Sequence, residues 1–276
     1  MSHFQRLFVL NVLFIASLIA TSFAQTAAPD SSLAGTVLYV DGQIGSASCA
    51  TYNPATRSCS GGTATAYKTM SDAAAVATAG QTVLIRGGTY QQALVPQQSG
   101  SAGQPITYAA YGDETAMISG AALMPAIDIC GRSYITIQGL TISNVRRWLL
   151  AIGSSHIVLV GNTFEHALDT GGSSKTGLFF EVATYNQVLD NVIDDANADS
   201  LSLVASDRNL VEGNTFTRAA HTLWTIKCGN YNILRNNYFH NQFQKIGEIY
   251  DCDGVGDNHD IYESNATKHN VVEGNS

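Results

Sequence analysis

Five short segments of this chain carry an asparagine in the same place. They are IVLVGNTF (157–164), NQVLDNVI (186–193), NLVEGNTF (209–216), NILRNNYF (232–239) and NVVEGNS (270–276). Asn162, Asn191, Asn214, Asn237 and Asn275 lie 29, 23, 23 and 38 residues apart, and ITIQGLTI (135–142) is an earlier copy with Leu140 in the slot, 22 residues before Asn162. A period near 22–23 residues with occasional insertions is one coil of a parallel β-solenoid. Such a coil cannot bury its apolar side alone and must stack on its neighbours. The expectation is therefore an all-β, single-stranded parallel β-helix.

Alternation assigns the two faces of each coil. Val211, Asn214 and Phe216 point inward, as do Leu234, Asn237 and Phe239. An inward Asn at a bend can bond its neighbours above and below where the strand corner breaks the ladder. The column Asn186, Asn209, Asn232 and Asn270 is read as structural in the same way. A second sheet runs through GLFFEV (177–182), SLSLV (200–204), LWTIK (223–227) and GEIY (247–250). With coils about 4.8 Å apart, its outward residues form two files: Glu181, Val204, Lys227, Tyr250, and Phe179, Ser202, Thr225, Glu248. Slipping the last coil by one residue would flip its faces and bury Glu248, so Tyr250 is placed beside Lys227.

Ahead of the repeats, TVLYV (36–40) reads as a strand, followed by a Gly/Ser/Cys loop to about Ala66. Lys68 to Ala79 reads as a helix capped by Thr69 or Ser71 and closed by Gly80, serving as a lid on the first coil. TVLIR (82–86), PITYAAY (105–111) and ISG (118–120) begin the coils. At the other end, NVVEGNS stops inside a repeat with no capping element, which predicts a truncated solenoid.

Residues 1–24 read as an export signal: Arg6, an apolar core from Leu7 to Ala20, then Ser22-Phe23-Ala24 as cleavage site. Residues 25–35 are a linker and 36–276 the β-helix domain. Export places the chain outside the cell, in the periplasm or at the cell surface. The apolar stretch is too short to span a membrane, and none follows that is longer. A net charge of −8 leaves no basic stripe for nucleic acid, and a monomer is the default. Only 13% of residues are charged, about half the usual share, so Ser, Thr, Asn and Gly supply the polar surface. In an oxidising compartment Cys49 and Cys59, which bracket a turn-rich loop, are expected to pair. Cys130 reads as a buried thiol, and Cys228 and Cys252 lie about one coil apart.

YVDG, YKTMSDAAAVATAGQTVLIRGGTY (67–90), PITYAAYGDE (105–114) and the Asn repeats together resemble the pectate-lyase-like right-handed β-helix superfamily over residues 36–276. Within it the chain is most similar to exported polysaccharide lyases of the chondroitinase B and alginate lyase type. The resemblance implies a right-handed coil and places Lys227, in IKCGNYNILRNNYF (226–239), at those enzymes' lysine base. It departs from them where their calcium-binding acids stand, here Thr222 and Ala220, and where an Arg-His-Gly run is replaced by GEIYD (247–251).

Beta-elimination from a uronate needs a base for the C5 proton and a cation for the carboxylate. Lys227 and Tyr250, with Arg218 and His221 in the overhanging bends, are the catalytic candidates. Arg146, Arg147, Glu181 and His240 are candidate substrate contacts. DCDGVGDNHD (251–260) offers Asp251, Asp253, Asp257 and Asp260 as oxygen ligands for Ca²⁺. Asp194, Asp195 and Asp199, with Asp169 a coil earlier, are either a second calcium set or the acid and base of a hydrolase. The expected function is a lyase acting on an acidic polysaccharide; a polygalacturonase-like hydrolase and a non-catalytic glycan-binding solenoid are the alternatives.

Overall fold

The structure, a computed structural model, describes residues 37–168, 177–242, 244–250 and 269–276. The expected signal peptide and linker, Asp169 and the 251–260 stretch lie outside these residues. Ser31–Ser276 forms one compact unit, and among the described residues no helix is long and apolar enough to cross a membrane.

Three sheets make up the coil. The long sheet has 11 strands, the second 7 and the third 6, and within the repeats each strand pairs in parallel with its counterpart one coil away. One coil shows the course of the chain. Gln187–Leu189 lies in the long sheet, Val192–Ala196 in the second and Leu201–Val204 in the third, before Leu210–Glu212 returns to the long sheet. The core runs up the middle, where Phe164, Phe180, Phe216 and Trp148 are fully buried. Each such ring contributes roughly 2–3 kcal/mol by leaving water.

The asparagine files are inward and continuous. Asn191 Oδ1 accepts from the backbone N–H and Nδ2 of Asn162, Asn214 does the same for Asn191, Asn237 for Asn214 and Asn275 for Asn237, all at 2.8–3.0 Å. Each Nδ2 also donates to a carbonyl of the preceding coil, as Asn214 does to Val188. Asn186, Asn209, Asn232 and Asn270 form a second ladder of the same kind. At Leu140 the file ends: its N–H donates to Asn162 Oδ1 at 3.0 Å.

Corners are turned by single residues in the left-handed region, and many are not glycine: Tyr185, Asp190, Asp195 and Ala205 in one coil alone, at φ 45–60°. A side chain there is uncommon, and stacking holds it because the same corner recurs above and below.

The first coil differs from the sequence expectation in two places. The loop to Ala66 contains strands Ser48–Tyr52 and Ala64–Tyr67, paired antiparallel, with the latter extending the long sheet at its edge. This hairpin covers an edge that would otherwise present open N–H and C=O groups. The lid helix spans only Met70–Val76, capped by Thr69 Oγ1 accepting from Asp72 N; Ala77 is already extended. Met70, Ala73 and Ala74 bury its inner face. Cys49–Cys59 is bonded as expected. Cys130 is a free thiol but half-buried, not buried, and Cys228 is disulfide-bonded.

Beneath the hairpin lies a buried charge network. Asp41, fully buried, accepts from Arg57 Nε at 3.0 Å, Arg57 Nη2 at 2.6 Å and Tyr52 Oη at 2.6 Å. Arg86 forks onto Glu114 at 2.6 and 2.9 Å and reaches Tyr52 and Pro54. Burial works against the Asp41 charge, but the bonds from Arg57, Tyr52 and Gln43 N outweigh it and hold the carboxyl at about 2.

Candidate functional site

The third sheet places the candidates. Leu178–Glu181, Leu201–Val204, Thr222–Lys227 and Lys245–Tyr250 stack in register, with Leu178, Phe180, Leu201, Leu203, Trp224 and Ile226 inward. Outward, Glu181 pairs with Val204, Val204 with Lys227 and Lys227 with Tyr250. Phe179, Ser202, Thr225 and Glu248 form the neighbouring file. Both files run as alternation predicted, and the last coil is not slipped. Gly247 makes that coil possible: it lies over Trp224, and a Cβ there would fall inside the indole.

At one edge of this sheet the bends bring acids and bases together. His221 Nδ1 is 2.7 Å from Asp199 Oδ1, and its Nε2 is 3.9 Å from Glu248 Oε2. Asp199 Oδ2 also accepts from Ser202 at 3.0 Å and Thr225 at 3.2 Å. Asp199 thereby orients the ring through its Nδ1 and turns Nε2 toward Glu248. Glu248, 8% exposed in its side chain, receives Lys245 Nζ and the Tyr250 hydroxyl. Burial opposes its charge; Lys245, Tyr250 and His221 outweigh it and keep the carboxyl below its ordinary value. Tyr250 is pushed up to about 12 by burial, then by the Glu248 bond and charge and the Asp199 charge.

Lys227 stands at the opposite end of the same strand, half-buried. Among the described residues no carboxylate pairs with its ammonium.

The other candidates are dispersed. Arg218 turns onto Asp194, its Nε donating to Oδ1 at 2.8 Å and its Nη2 to Oδ2. Asp195 is held by His166 Nδ1 at 2.9 Å. Arg147 is buried with its guanidinium 5.4 Å from the Phe179 ring centroid, and burial lowers its pKa. Arg146 donates its backbone N–H to Leu123 at the same bend. His240 stacks on Tyr238 at 4.7 Å on the second sheet, in file with Thr217 and Asp194.

As arranged, Asp194, Asp195 and Asp199 do not fit a shared cation, because each is turned to its own donor. Among the described residues no three acidic, His or Cys side chains gather as a metal set. Sequence reasoning missed Lys245 and the part played by Glu248, Ser202 and Thr225. The file that contains the last three was legible; the reach of His221 from the bend across to it was not.

The model of a family described as Pel9A-like, right handed beta helix region matches residues 51–222. An uncharacterized Bacillus subtilis protein, YwoF, is 30% identical over 188 residues; the chain spans only 38% of its length, and the match covers 62% of the chain. Among solved structures, pectate lyase Pel9A shares 14% identity over 87% of this chain and 76% of its own, with a TM-score of 0.52. An alginate lyase from Paenibacillus sp. shares 16% over 62% and 74%, at 0.50. A lacto-N-biosidase from Eubacterium ramulus shares 11% over 87% and 56%, at 0.58. These likenesses establish a common fold.

Proposed function

The chain belongs to the Pel9A-like right-handed β-helix family, and on that premise we propose that it is an exported enzyme cleaving a uronate-containing polysaccharide by β-elimination. The observation that carries the reading is Lys227. It is an amine on a rigid strand of the outer face, beside Tyr250, with no carboxylate partner among the described residues. A pectate lyase and an alginate lyase share the fold, which makes elimination the first reading.

In this proposal Lys227, as the neutral amine, takes the C5 proton of the uronate. The C–H electron pair becomes the C4–C5 double bond, the C4–O bond breaks, and the departing oxygen takes a proton from Tyr250. Arg218 or Arg146 offsets the substrate carboxylate charge, with Glu181 and His240 as further contacts. No step runs through a metal ion. Calcium binding remains a proposal for Asp251, Asp253 and Asp257; absence of a calcium-dependent shift in melting of the full chain rules it out.

The test is absorbance of the conjugated product on polygalacturonate, alginate and chondroitin. Wild-type protein is expected to give a rise on one of them that Lys227→Ala loses. A Lys227→Ala rate equal to wild type ends the base assignment. One observation favours a second reading: Asp199 and Glu248 flank a single imidazole, an arrangement suited to a hydrolase. New reducing ends without absorbance would select it.

A further inference from the structure

At the other rim of the third sheet, each coil turns through a left-handed residue before entering the long sheet. Tyr134, His156, Tyr185, Arg208, Tyr231 and His269 occupy that turn in successive coils, at φ 55–58°. Their side chains stack into one ladder along the axis. Ring centroids are 4.4 Å apart for Tyr134 and His156, 5.3 Å for His156 and Tyr185, and 4.9 Å for Tyr231 and His269, all near parallel. Arg208 fills the remaining rung, its guanidinium 5.8 Å from the Tyr185 centroid and 4.9 Å from that of Tyr231.

The ladder is exposed, Tyr185 at 49% and Tyr231 at 47%. Neighbours occupy the ring faces, so solvent meets only edges: phenol O–H, imidazole N–H and the guanidinium fork. Arg208 is exposed and sits between two rings, which leaves its planar fork of N–H donors able to meet a planar anion. Among the described residues no carboxylate pairs with it. Its neighbour Asp207 is engaged by Asn230 N at 2.7 Å. The adjacent outward file of the long sheet, Val158, Gln187, Leu210 and Ile233, carries no charge. On a chain of net charge −8, Arg208 is thus a cation that no carboxylate among the described residues pairs with, beside an uncharged file of the long sheet. His156 and His269 each lie two coils from it, roughly 10 Å at the usual strand spacing.

We propose that this ladder is a contact surface for an acidic glycan lying parallel to the solenoid axis. Arg208 forks onto one carboxylate; His156 and His269 meet acidic groups that recur two coils to either side, and the tyrosine hydroxyls bond the sugars between. The surface adjoins the sheet that carries Lys227, but its role does not require that Lys227 be catalytic.

Nitration of the wild-type chain by tetranitromethane, followed by peptide mapping, tests this directly. Polygalacturonate is expected to protect Tyr185 and Tyr231, and neutral dextran to leave both reactive. Equal nitration with the two polymers overturns the proposal. In affinity electrophoresis through polygalacturonate, Arg208→Ala is expected to bind about tenfold more weakly. Arg208→Lys should recover part of that loss, since charge without the fork is a poorer match. All retention is compared in a Lys227→Ala background, which removes cleavage of the polymer and separates this surface from the catalytic reading. Unchanged retention of folded Arg208→Ala also overturns it, and if that variant unfolds, the nitration footprint decides.

Discussion

Two kinds of vertical file run through the same stack of coils, one inside and one outside. Inside, a single residue returns coil after coil, Asn162 through Asn275. On the outer face of the third sheet nothing returns: Glu181, Val204, Lys227 and Tyr250 differ in charge, size and chemistry. The spacing is the same in both, so geometry is not what separates them. Water is. An inward bend has no solvent to satisfy its N–H groups, and a buried orphan costs about 1–3 kcal/mol. Asparagine answers this in the same way in each coil from Asn162 to Asn275, its amide bonding both its counterparts and the corner backbone. The outward positions of the Glu181 file reach solvent and are released from that requirement. What repeats in this molecule holds it together, and what fails to repeat is free to vary in chemistry.

The contrast can be broken from either side. The largest expected effect is outside: Lys227→Ala should lower elimination by at least ~100-fold with melting unchanged, read by product absorbance and calorimetry. A loss of stability in step with activity would make Lys227 part of the scaffold. Next is the inside: Asn214→Leu keeps bulk but strands the Asn191 N–H and should cost about 3 kcal/mol in denaturant unfolding. A neutral result would mean that the file only fills space.

The buried ions beneath the hairpin are a third case, buried yet unrepeated. Asp41, held at about 2, has its pKa lowered on folding. Its stabilisation is therefore present above the unfolded value near 4 and is lost as pH falls from there toward 2. It amounts to about 2 kcal/mol at neutral pH. Wild-type unfolding free energy should fall more steeply between pH 4 and 2 than that of Asp41→Asn; parallel curves would remove Asp41 as the cause. The smallest effect belongs to Arg235 and Glu212, a forked pair on the outer face of the long sheet at 2.9 and 3.0 Å. Solvent screens them, and Arg235→Gln should leave melting where it was. A clear drop would show that outer files also carry stability.

The resemblance to lyases drew attention to Lys227 and, through the bends, to His221 and Arg218, yet only His221 joins a concentrated cluster. Arg218 has the charge expected of it but is turned onto Asp194. Arg147 was expected at a gripping bend and is buried over Phe179. The difference lies in side-chain direction at corners, where a left-handed residue swings the following atoms out of the alternation that governs strands.

The amino-acid sequence alone determined the coil, its register, both asparagine ladders and the two outer files, because a period of two within strands and of one coil between them is written locally and repeats. The tertiary structure alone decided which acid meets which base: Asp199 with His221, Glu248 with Lys245 and Tyr250, Arg208 between two tyrosines. It also decided that a hairpin covers the first edge. Those choices depend on how corners aim side chains across coils, and no local pattern encodes a corner turned by residues as unlike as tyrosine, histidine and arginine.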